Sequence, residues 1–196
     1  SRAATADDIA RFHGEDHVQR VHQLRALRGQ RLKGIVAQRL GRHRDAALGK
    51  NGGDAVERFF TNRLDASAHP YFAAIAAHRV SAHFFIRRDG AALQFVSCDD
   101  RAWHAGASSW RGRDNCNDWS IGIELEGLEG GRFAAAQYRT LGRLLRDVID
   151  HHPIEEIVGH EHVAPGRKRD PGPGFDWERL RRRLGPCGVR VWPMLV

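Results

Sequence analysis

Cysteine is scarce in this chain of 196 residues. Cys98, Cys116 and Cys187 form an odd set without a CxxC pair, which argues against a disulfide framework and against a thiolate metal cage, and fits a reducing, cytoplasmic setting. Long apolar runs are missing too. Nothing approaches the roughly 18 residues of a membrane-spanning helix, and the start of the chain carries Asp7 and Asp8 where a signal peptide places its apolar stretch. Neither a membrane nor an export route is expected. Aromatic residues are modest at 8%, but with 41% hydrophobic and 28% charged residues the composition is that of a folded globular protein rather than a fibrous or disordered one. The length suits one domain with appendages.

Charge is unbalanced without being decisive. The 31 basic and 24 acidic residues leave a net +7, which suits a nucleic acid, an anionic surface or an acidic small substrate alike. Nucleic-acid binding rests on charge alone and is not expected. Residues 1–50 differ from the rest: they hold nine Arg and four His but one aromatic, Phe12. Within them Val18, Val21, Leu24 and Leu27 recur at helical spacing, and the patch Ile35-Val36-Ala37 inside 32–40 suits helix or strand, with two short helices as the working expectation. The Gly-rich break at 49–53 separates this atypical segment from a domain over 51–185, and an apolar tail follows over 186–196.

Past the break, 55–63 and 70–78 read as short helices. Residues 80–87 and 92–97 alternate as two strands around Arg88-Asp89-Gly90, a hairpin signal. Residues 119–125 predict a further strand. Leu141, Leu144, Leu145, Val148 and Ile149 mark a helix over 134–151, and Ile157-Val158 a last short strand before a Gly/Pro-rich loop. The fold class is α/β (α+β), a mixed central sheet flanked by helices.

The loop Gly159-His160-Glu161-His162-Val163-Ala164-Pro165-Gly166-Arg167-Lys168-Arg169-Asp170-Pro171-Gly172-Pro173 packs imidazole, cation and carboxylate into a proline-stiffened stretch after a strand. A catalytic zinc takes about three His- or Asp-type ligands and an open position for water, so His160 and Asp170 are candidate ligands, and Lys168 beside them suits a developing oxyanion. A solvated, charged surface loop has the same wording. In Asp118 to Gly127, strand alternation sets Glu124 opposite Ile121 and Ile123, where it is either an acid/base group or an exposed strand carboxylate. The loop 101–106 adds Trp103 and His104, fit to line a sugar site or simply to pack.

Taken together these segments resemble one family. Ser81-Ala82-His83 with Arg87, Asp89 and Gly90, Arg101-Ala102-Trp103-His104-Ala105-Gly106, Cys116-Asn117-Asp118, Ile121 to Gly127, Gly159-His160 and Pro165 to Lys168 with Asp170-Pro171-Gly172-Pro173 are similar, in order and wording, to the AmpD-type N-acetylmuramoyl-L-alanine amidases, relatives of phage amidases and peptidoglycan-recognition proteins. The likeness runs from about Gly52 to Leu184. It implies a peptidoglycan-recognition-like fold, one Zn2+, and hydrolysis of the amide between anhydro-N-acetylmuramic acid and L-alanine in muropeptides during cell-wall recycling, by a cytoplasmic monomer. By position it implies that His160 and Asp170 are zinc ligands, Glu124 the acid/base residue, Lys168 the oxyanion stabiliser, and Tyr71, Arg79, Trp103 and His104 residues at the substrate cleft.

The resemblance breaks at the first ligand. The family takes it from a His-Asn step at the end of an apolar first strand, shortly before the Gly-Gly matching Gly52-Gly53. That strand and step are not found here, which predicts a domain short of an inner strand; the nearest imidazole is His43, flanked by Arg42 and Arg44, as a third ligand or as a solvated histidine. His162 stands where relatives commonly carry Asp, and Asn115 where some place an arginine that holds the peptide. The alternative reading is a non-catalytic binder of peptidoglycan fragments with an incomplete metal site.

Overall fold

The computed structural model describes residues 55–127 and 131–193, with the backbone of 10–12 and 34–40. In chain order the strands are β1 (Ala10–Phe12), β2 (Gly34–Leu40), β3 (Phe84–Ile86), β4 (Ala92–Gln94), β5 (Ser109–Trp110), β6 (Arg113–Asp114), β7 (Ser120–Glu126), β8 (Glu156–Gly159) and β9 (Arg190–Val191). The helices are α1 (Ala55–Phe60), α2 (Pro70–Ile75), α3 (Ala135–His151), α4 (His160–Val163) and α5 (Trp177–Leu184). Seven strands make one sheet in the order β1-β4-β3-β7-β2-β8-β9, with β5 and β6 as a separate hairpin. From β3 to β9 neighbours run parallel, while β4 and β1 are added antiparallel. The mixed, helix-flanked sheet expected from the sequence is therefore present.

Alternation along β7 separates the two faces. Ile121, Ile123 and Leu125 pack with Leu141, Leu144, Leu145 and Val148 of α3, a helical stripe in which each fully buried side chain contributes about 1.5–3 kcal/mol. Gln137 ties α3 to the sheet: its Nε2 donates to the Glu126 carbonyl at 2.8 Å and the Ile86 carbonyl at 3.2 Å, while its Oε1 accepts from the Ala134 N–H at 2.9 Å. Helix α5 packs Leu180 and Leu184 into the same core. Asp176 caps it, accepting from the Arg179 N–H at 2.8 Å. On the opposite face Phe85, Leu93 and Phe95 meet Val56 and Phe60 of α1. The remainder of that face carries the site.

The expectation of a missing inner strand is corrected. Gly34–Leu40 runs between β7 and β8 and is hydrogen-bonded to both, so the β-branched patch Ile35-Val36 is strand and not helix. The driving force is plain: without an insert, the facing backbone edges of β7 and β8 lack partners. The helix expected around Val18 to Leu27 lies outside the described residues. The predicted hairpin narrows to β3 and β4, closed where Asp89 Oδ1 accepts from the Ala91 N–H at 2.8 Å and Gly90 takes a φ of +93°.

Part of the apolar tail enters the sheet as β9. Trp192 stacks edge-on against Trp110, with centroids 5.4 Å apart. The buried Glu156 carboxylate takes hydrogen bonds from Trp110, Arg111 at 3.0 Å and Arg190 at 2.7 Å. This knot ties the β5–β6 hairpin and the tail to β8. Sequence periodicity gave no sign of it, because two-residue strands carry no readable alternation.

Candidate active site

Strand β8 delivers His160 directly into α4. The imidazole is 2% exposed, with Nε2 at 3.0 Å from the Ala105 carbonyl and Nδ1 at 3.1 Å from Asp170 Oδ2. A carbonyl only accepts, so Nε2 carries the proton and donates, which leaves Nδ1 as the ring atom turned towards a carboxylate oxygen. Two lone pairs facing at that distance call for a cation or a proton between them. The loop holding Asp170 is pinned by the Glu161 N–H donating to the Asp170 carbonyl at 2.8 Å, and by the Lys168 and Arg167 N–H groups donating to Ala164 at 2.9 and 3.1 Å.

Glu124 reaches the same region from the middle of β7, on the face away from α3. It is 4% exposed. Burial drives its carboxyl up to about 8; the Asp170 charge adds to the rise and Lys168 opposes it. Those three side chains thus share one electrostatic neighbourhood, and Glu124 keeps its proton into neutral pH.

Two buried imidazoles lie behind it. His83 accepts from the Gly122 N–H at 3.0 Å and its Nε2 faces the Asp100 carbonyl at 3.0 Å. His104 lies across Gly122, where any Cβ would overlap its ring, and its Nε2 approaches the Ser120 carbonyl at 3.3 Å. Burial lowers both: His83 to about 4, with the charge of His152 adding to the fall, and His104 well below its ordinary value, with the charge of His83 adding to it. Both are neutral packing groups under the site.

The 101–106 loop forms the rim. Asn117 Oδ1 accepts from the N–H groups of His104 and Ala105 at 2.9 and 2.8 Å. Arg167 Nη2 donates to the carbonyls of Ala105 at 2.6 Å and Ala107 at 2.7 Å. Trp103 is 45% exposed, with the Arg101 guanidinium 3.5 Å over its ring. Arg101, Trp103, Gly106, Asn115, Asn117 and Arg167 lie on a cavity of about 870 Å³ beside α4. Tyr71 is half-buried on α2 and Arg79 is exposed after it; neither lines that cavity. His162, which stands where relatives commonly carry Asp, has its Nδ1 occupied by the Gly159 N–H at 2.8 Å. Sequence reasoning missed the roles of Asn117 and Arg167, whose only signal was their place inside motif segments.

Comparison with known proteins decides the family. The model of the N-acetylmuramoyl-L-alanine amidase family matches residues 29–173. The chain belongs to that family. Among the amidases, the 1,6-anhydro-N-acetylmuramyl-L-alanine amidase AmpD of Citrobacter freundii is 50% identical over 140 residues, 70% of this chain and 75% of its own. A crystal structure of a selenomethionine AmpD derivative superposes with a TM-score of 0.72 at 44% identity, over 80% of this chain and 86% of that one. The Escherichia coli amidase AmiD, solved with the substrate anhydro-N-acetylmuramic acid-L-Ala-D-gamma-Glu-L-Lys, superposes with a TM-score of 0.57 at 28% identity, over 87% and 63%.

How well the amidase side chains suit a zinc ion can be tested on the donors. A tetrahedral zinc with bonds of about 2.0–2.2 Å holds adjacent ligand atoms roughly 3.3 Å apart; His160 Nδ1 and Asp170 Oδ2 stand at 3.1 Å. The pair fits. Among the described residues, however, no three His, Cys, Asp or Glu side chains gather as a metal site, and His43 lies outside those residues. The described set is one donor short of the usual three.

Proposed function

We propose that this amidase hydrolyses the bond between 1,6-anhydro-N-acetylmuramic acid and L-alanine in muropeptides, with Zn2+ as cofactor, in cytoplasmic recycling of cell-wall fragments. The observation that carries the reading is the facing pair of His160 Nδ1 and Asp170 Oδ2, a cation-seeking arrangement of a buried imidazole and a half-buried carboxylate. When bound, zinc polarises the scissile carbonyl and lowers the pKa of a water towards neutrality.

The chain's own residues supply the rest. Glu124, whose carboxyl burial pushes up to about 8, in its ionised form takes the proton of the attacking water and then gives that proton to the leaving amine. Lys168 stabilises negative charge developing on the carbonyl oxygen. The Ala105 carbonyl fixes the tautomer of His160, and Arg167 fixes that carbonyl in turn. Trp103 offers its exposed ring to the sugar, and the exposed Arg79 is the residue proposed to pair with a peptide carboxylate. The three cysteines are free thiols, in keeping with a reducing compartment.

The test is release of peptide from an anhydro-muropeptide, followed by mass spectrometry, with and without a zinc chelator. Release that stops on chelation and returns with added zinc is expected. A second reading, a fragment-binding protein without catalysis, is favoured by the set of two donors among the described residues; tight muropeptide binding with no release at saturating zinc is its signature.

A further inference from the structure

The donor that the described residues lack has an address in the sheet. Paired residues of neighbouring parallel strands share one face, and β2 lies between the two strands that carry the site. In that register Gln38 pairs with Glu124 of β7. On the other side Ala37 pairs with Gly159 of β8, so Gln38 stands one step on, level with His160. Gln38 is thus the residue of the middle strand placed on Glu124's face, between the general acid/base position and the first zinc donor. Zinc takes imidazole, thiolate or carboxylate; a neutral carboxamide is none of these. His43 enters only after β2 has ended at Leu40.

We infer that position 38 is the third metal position of this fold, and that its glutamine leaves a two-donor, weak zinc site which a histidine at that place completes. This rests on the zinc-amidase reading above, and concerns which residue limits metal binding. Loss of an outer-shell partner alone changes metal affinity about 10–100-fold, so gaining a ligand tightens the site by about 100-fold or more.

The experiment measures zinc affinity by competition with a chromophoric chelator for the wild type, Gln38→His, His43→Ala and Gln38→His combined with His160→Ala. A second variant, Gln38→Cys, is titrated with Co2+ and read for a thiolate-to-cobalt charge-transfer band, which reports the ligand directly whatever the affinity. The expected results are tightening of about 100-fold in Gln38→His, its loss when His160 is also removed, wild-type affinity in His43→Ala, and a thiolate band in Gln38→Cys. Unchanged affinity in Gln38→His with native-like circular dichroism, a tenfold loss in His43→Ala, or cobalt bound by Gln38→Cys without the band would each overturn it. Peptide release is assayed separately at saturating zinc: its absence from both the wild type and Gln38→His counts against the amidase reading and leaves the assignment of position 38 to the affinity data.

Discussion

On the α3 side of the sheet β7 turns Ile121, Ile123 and Leu125 into an apolar core with Leu141, Leu145 and Val148, whereas its other side carries Ser120, Gly122 and the buried carboxyl of Glu124. One strand thus serves two faces of opposite character. The α3 face gains hydrophobic free energy from every residue it covers. The site face spends burial on an ionisable acid whose pKa it raises to about 8, and on two neutral imidazoles. Perturbed groups gathered in one place are a functional signature, so substitutions on the two faces should separate chemistry from stability.

The largest break in that comparison is His160→Ala, which should bring zinc retention and peptide release to the level of a no-protein control while leaving the unfolding midpoint close to that of the zinc-free wild type. Glu124→Gln follows: kcat is expected to fall about 10²–10⁴-fold, with zinc affinity held, as steady-state kinetics and metal titration check. On the α3 face the pattern inverts. Leu145→Ala should cost about 2–5 kcal/mol in urea unfolding and leave kcat per folded molecule unchanged.

The buried imidazoles sharpen the contrast through pH. His83 takes its proton only near pH 4 when folded, against an ordinary value near 6.5 in the unfolded chain. The unfolded state therefore binds more protons between those values, and the stability contributed is full above about 6.5 and is lost as pH falls towards 4, by roughly 3 kcal/mol in all. His104 acts in the same sense. Chemical unfolding at pH 7.5 and 4.5 reads the difference, and His83→Gln should flatten it. The smallest effect is expected at the exposed Trp103, where replacement by Ala shifts stability by no more than about 0.5 kcal/mol and shows instead as a raised KM.

How much of this was legible in the sequence follows from how far each residue's surroundings are local. Leu141 to Val148 and Ile121 to Leu125 announce their elements through spacing, because one buried face imposes its period on the chain. His160, Asp170, Glu124 and Lys168 were singled out from wording and motif order, and the structure brings them to one region. The burial that perturbs Glu124 comes from strands distant in sequence and could not be read. Strand β2 was the opposite case: Gln38, Arg39 and the surrounding arginines carry none of the apolar continuity of an inner parallel strand, and only the backbone demand of β7 and β8 puts Gly34–Leu40 there. The knot around Glu156 was equally silent, being built from Arg111 and Arg190 on either side of the domain.

The most direct measurement of the central claim is peptide release from anhydro-muropeptide by zinc-loaded protein, run side by side for the wild type and Asp170→Asn. The account predicts zinc-dependent release by the wild type and none by the variant; equal release by the two, or release that survives chelation in the wild type, would contradict it.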